Sequence, residues 1–101
     1  MSQGITQYKD AHTVIYGSSS LDQLVTEEQA GHAAAWEATR KLKESGQPID
    51  DAMLPRTLET LARRQADRIV VDFGLDHLDE EEVRRHAAAA AVRIAPEFVS
   101  V

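Results

Sequence analysis

The chain has 101 residues, of which 43% are hydrophobic and none is cysteine, a size and composition that fit one globular domain with a modest core. The lack of cysteine excludes a disulfide framework, a thiolate metal site and a cysteine nucleophile. A net charge of −6 repels nucleic-acid phosphate at long range, and no concentrated basic stripe overcomes it. Direct nucleic-acid binding is therefore not expected. Met1-Ser-Gln-Gly4 carries neither a basic leader nor an apolar stretch, and nowhere do about 18 apolar residues run together. The expectation is a cytoplasmic protein, or one incorporated into a phage particle, with no membrane contact.

Residues 1–20 differ in kind from the rest. Ile5-Thr-Gln-Tyr8 and Thr13-Val-Ile-Tyr16 are rich in β-branched and aromatic residues, and Lys9-Asp-Ala-His12 between them has the length of a hairpin loop. This reading predicts an extended arm or a small β-hairpin, joined by a flexible Gly17-Ser-Ser-Ser20 to a helical domain over residues 21–101. Because both tyrosines fall in the arm, it also leaves the helical part short of aromatic bulk.

Helical signals begin at Thr26. Thr26-Glu-Glu-Gln29 has the pattern of a capping box, and Gly46 followed by Pro48 marks the stop. Val25, His32, Ala35, Trp36, Thr39 and Leu42 recur at helical spacing and predict a buried stripe, with Ala30, Ala34 and Ala38 as a second, smooth face. A second helix begins near Pro55, with an earlier turn open to capping by Asp50 or Asp51. Its apolar spacing continues unbroken through Ile69-Val-Val-Asp-Phe73, which favours helix over strand there, and Gly74-Leu75 has the form of a Schellman stop. A third helix starts at Asp79-Glu-Glu-Glu82, also a capping-box pattern, and ends at Pro96. The short connections predict a mainly α fold, a three-helix up-down bundle preceded by the arm.

Four histidines are the first candidates for chemistry. Glu28 precedes His32, and Glu82 precedes His86, by four residues, so each pair shares one helical side. The spacing of a di-iron bundle, Glu-x-x-His, is absent, and both glutamates already suit the first turn of a helix. Neither a metal nor another cofactor is expected, and His32 reads as a core histidine. Asp76–Glu82 lacks the ligand alternation of a calcium loop. Ser18–Ser20 have no nucleophile-elbow frame, and no glycine-rich phosphate loop occurs. Arg56, Arg63, Arg64, Arg68, Arg84, Arg85 and Arg93 read as an ion-paired helical surface interrupted by Glu59 and Asp67. Acidic Asp79–Glu82 followed by alanines stands where a DNA recognition helix would be needed.

What remains is a non-catalytic interaction or assembly component, such as a small bacterial or phage structural or adaptor protein. Its partners are copies of itself or a larger protein assembly. Tyr8, Val14 and Tyr16 in the arm, Trp36, the Arg64 and Arg68 pair, and Phe98 and Val101 in the apolar tail are the candidate contact residues. An acidic inhibitor or antitoxin-like protein, directed at a basic nucleic-acid-processing partner, is the alternative. A small helical enzyme or metal-binding subunit using His32, His86 and the arginines comes third.

Overall fold

The structure, a computed structural model, describes residues 3–17 and 25–101. Among them are four α-helices, α1 (Gln3–Tyr16), α2 (Glu27–Ser45), α3 (Leu54–Asp72) and α4 (Glu80–Ile94), followed by a 3-10 helix (Ala95–Ser100). No strand occurs among the described residues. Helices α2, α3 and α4 each pack against the other two, while α1 lies mainly along α2 and touches α4 at its margin. Helix α2 is therefore enclosed on three sides. It buries Ala30, Gly31, Ala33, Ala34, Ala35 and Ala38 together with Leu42, because only small side chains fit where three helices crowd a fourth.

The extended arm is a helix instead. Its β-branched residues raise strand propensity, but Tyr8, Ala11 and Ile15 follow one another at spacings of three and four, and all three are buried. Burying that side against α2 outweighs local preference, which is weak for β-branched residues. The segment read as a hairpin loop lies mid-helix, and the Thr13 hydroxyl donates back to the Lys9 carbonyl at 3.1 Å. Tyr8 and Tyr16 thus supply bulk to the helical assembly, reversing the shortage inferred for it, and the three-helix count becomes four. Of the proposed joint, Ser18–Ser20 lie outside the described residues.

The helix boundaries follow the local signals. Thr26 and Gln29 form a reciprocal capping box, both bonds 3.1 Å long. Gly46 adopts φ 66° at the end of α2, a left-handed conformation that favours glycine. Asp50 caps a turn ahead of α3 by accepting from the Ala52 N–H at 3.0 Å. Helix α3 runs through Ile69–Val71 to Asp72, and the Leu75 N–H closes a Schellman bond on the Val70 carbonyl at 2.9 Å. At α4 the box is only half made. Asp79 accepts from the Glu81 and Glu82 N–H groups, but its own N–H donates to Glu27 of α2 at 3.0 Å, while Glu82 turns to Arg85. The start of α4 is therefore tied to the start of α2. Pro96 ends α4, and the chain tightens into the 3-10 helix, which packs Phe98 and Val101 against the core.

One polar group sits under α1. Glu37 of α2, with a side chain only 8% exposed, is 2.7 Å from His12 Nε2 of α1 and 3.2 Å from Arg40 Nε. Burial pushes the Glu37 carboxyl up, but hydrogen bonds from His12 and Arg40 outweigh it and hold the group below the usual carboxylate range. A folded value below the unfolded one stabilises the fold above about pH 4.5, and that contribution disappears as pH falls through the depressed value. Glu37→Gln keeps the shape and removes the charge. Urea unfolding should show a loss of about 1.5–3 kcal/mol at pH 7, with the gap between variant and wild type closing in acid.

Candidate functional site

Helices α2 and α4 make a close crossing at Gly31. A Cβ added to Gly31 would lie 2.5 Å from His86 Cβ, 2.8 Å from Ala87 N and 2.9 Å from the Val83 carbonyl oxygen, so position 31 admits no side chain without movement of α4. That contact sets the neighbouring His32 beside His86, their rings 6.4 Å apart between centroids and nearly perpendicular. Glu28 is one turn before His32 on the same side of α2. One donor atom from each of Glu28, His32 and His86 falls within 4.8 Å of the others. The three line a recess of about 190 Å³ whose wall also includes Tyr8 from α1 and Arg93 from α4. The Tyr8 and His32 rings meet in a T-shaped contact, 4.7 Å between centroids at 86°. Burial lowers the proton affinity of His32, and His86 and Arg93 add to this against the opposing pull of Glu28.

His32 is thus half-buried on a recess rather than sealed in the core, and Glu28–His32 acquires a third member from another helix. The second sequence pair does not persist as a pair, since Glu82 binds Arg85 at 3.0 Å. The other histidines are engaged elsewhere, His12 with Glu37 and His77 with the Val25 carbonyl at 3.3 Å.

The proposed contact residues scatter. Tyr8 is 2% exposed and belongs to the core. Tyr16 is half-buried, accepts a hydrogen bond from Gln65 Nε2 at 2.8 Å, stacks on His12 and meets Phe73 edge-on. Val14 is exposed on α1, and Trp36 is half-buried against the core. Arg64 and Arg68 line a depression with Ala38, Lys41, Leu61 and Gln65. Phe98 lies under the Lys43 ammonium, 4.9 Å from ring centre to nitrogen. The arginine surface is ion-paired at Arg63–Glu59, Arg84–Asp67 and Arg85–Glu82.

One apolar region was not read from the sequence. Val92 and Val99 are 51% and 88% exposed, with Pro96 between them at spacings of four and three, so the three form a stripe from α4 into the 3-10 helix. Val99 itself lines a hollow with Asp51, Leu54, Pro55, Ala95 and Pro96. The sequence marks an apolar tail at Phe98 and Val101, but the continuation of helical spacing from Val92 through Pro96 to Val99 depends on the 3-10 turn.

A family model described as "Virulence factor CipC-like" matches residues 11–97. The chain belongs to this CipC-like family. The match takes in the last six residues of α1 and all of α2, α3 and α4, and so includes Glu28, His32, His86 and Val92 but neither Tyr8 nor Val99. No curated protein and no solved structure gives a significant match.

The role of Tyr16 as a half-buried tie between α1 and α3 has a spectroscopic consequence. Burial pushes its phenol up to about 12, Gln65 offsetting part of the rise and Glu37 and Asp72 adding to it. In a Tyr8→Phe variant, the tyrosinate absorbance should reach its midpoint near pH 12, well above the ordinary value of about 10. A midpoint at the ordinary value would mean that Tyr16 is solvated and free of α3.

Proposed function

We propose that this CipC-like chain is a non-catalytic interaction component that pairs with a second copy of itself through the apolar stripe at the end of α4. The observation that carries this reading is the exposed Val99 side chain at the edge of a hollow that it lines together with Asp51, Leu54, Pro55, Ala95 and Pro96. A surface holding both knob and hollow is self-complementary, so two copies related by a two-fold axis would each seat Val99 in the other. Contiguous exposed apolar side chains of this kind are what protein contacts bury. Of the two termini that the sequence suggests for contact, this proposal keeps the C-terminal one, with Val92 and Val99 in place of Phe98 and Val101, because α1 spends its apolar side on α2.

The family description names a virulence factor and no reaction, which accords with a non-catalytic role. The polar groups in short contact serve the fold. Asp79 caps α4, Glu27 ties α2 to α4, and Glu37 holds α1. These internal uses of the acidic residues favour self-association over an acidic inhibitor of a basic partner. Among the described residues no helix is long and apolar enough to cross a membrane, and the proposal places the protein in the cytoplasm or within a larger assembly there.

Light scattering over a concentration series tests the reading. The expected mass rises to twice the 11.2 kDa of the chain, and Val99→Asp, which leaves the core untouched, returns it to the single-chain value. A wild-type protein that stays monomeric throughout, or a dimer indifferent to both Val99→Asp and Val92→Asp, would contradict it.

A further inference from the structure

We propose that Glu28, His32 and His86 form a binding site for one divalent transition-metal ion of the zinc type. Two imidazoles and one carboxylate are the donor set that borderline ions such as zinc prefer, whereas magnesium and calcium require oxygen donors throughout. Zinc bonds of about 2.0–2.2 Å place tetrahedral ligands roughly 3.3–3.6 Å apart. The three donor atoms already lie within 4.8 Å of one another, so small side-chain rotations complete the arrangement without moving a helix.

The backbone holds two of the ligands in register by helical spacing and the third by the Gly31 contact, where an added Cβ would meet His86 Cβ at 2.5 Å. His86 therefore has a fixed base from which its ring reaches His32. The Tyr8 ring, 4.7 Å from His32, limits the positions that imidazole can take. Glu28 is exposed, so the ion enters from solvent and water fills the position that the protein leaves open. Glu28 also supplies the negative charge that the ion needs. Arg93 lines the same recess and opposes a cation, which makes it a diagnostic residue.

Calorimetric titration of the full chain, carrying no histidine tag, with zinc chloride near pH 7.5 tests the site. One zinc per chain is expected. His32→Ala and His86→Ala should each weaken binding by at least about tenfold, the least that losing even a supporting partner of a metal ligand costs. Glu28→Gln should also weaken it, and His77→Ala, on the exposed turn before α4, should not. Arg93→Gln should tighten it by removing a like charge. If His32→Ala does not fold by circular dichroism, His86→Ala and Glu28→Gln carry the test, since neither residue is in the core. The proposal is overturned by absence of zinc uptake, by uptake that His86→Ala and Glu28→Gln leave unchanged, or by an equal loss in His77→Ala, which marks scattered surface histidines. Weaker zinc binding in Arg93→Gln would also overturn it.

Discussion

A glycine in the interior of α2 sets the distance between that helix and α4. Glycine inside a helix costs about 0.5–1 kcal/mol relative to alanine, so position 31 is favourable only if close contact returns more than that. It does so by letting backbone and Cβ atoms of Val83, His86 and Ala87 approach where any side chain would collide. The alanines around it extend the same economy of size. With Ala30, Ala33, Ala34, Ala35 and Ala38 buried on α2 and Ala87, Ala90 and Ala91 on α4, this core gains stability from proximity and dispersion more than from large apolar areas. Bulk comes from the outer helices, through Tyr8, Ile15, Leu58, Ile69 and Ile94.

The same contact links fold and site. Because α2 and α4 touch at Gly31, the residue after it faces a histidine from another helix, and helical spacing adds Glu28. Helix α1 then closes the recess with Tyr8 while anchoring itself through His12 on Glu37, one turn beyond His32 along α2. Packing, the His12–Glu37 hydrogen bond and the polar recess are thus three consequences of α2 lying at the centre. The apolar stripe has a different origin. Pro96 forbids a further α-helical turn, and the resulting 3-10 geometry places Val99 in line with Val92 on a surface that none of the described residues covers.

Signals confined to a few neighbouring residues were legible in the sequence. Thr26 with Gln29, Gly46, Pro55, Gly74 with Leu75, and Pro96 each act through backbone groups within one or two turns, and each marks a boundary where the structure has one. The continuous spacing from Leu58 to Phe73 correctly outweighed the strand-like Ile69–Val71. What failed was tertiary. Residues 5–16 satisfy strand propensity and helical spacing equally, and only the presence of an alanine-lined groove on α2 decides between them. At Asp79 the capping pattern was complete on paper, but a competing acceptor, Glu27, lies 52 residues away. For the site, Glu28 and His32 were visible as a pair, whereas the arrival of His86 depends on the crossing point of two helices. The available clue was Gly31 itself, a lone glycine between firm helix signals, which ordinarily has a packing reason.

Thermal unfolding of Gly31→Ala is the most direct test of this account, because the two relevant effects have opposite signs. Alanine improves helix propensity and, in an open position, raises the melting temperature. In a contact where its methyl group meets His86 Cβ, Ala87 N and the Val83 carbonyl, overpacking costs about 1–3 kcal/mol, more than propensity returns. A lower melting temperature in Gly31→Ala is the predicted result. An unchanged or higher one would show that α2 and α4 do not meet at Gly31, and would remove the basis for both the alanine-packed core and the juxtaposition of His32 with His86.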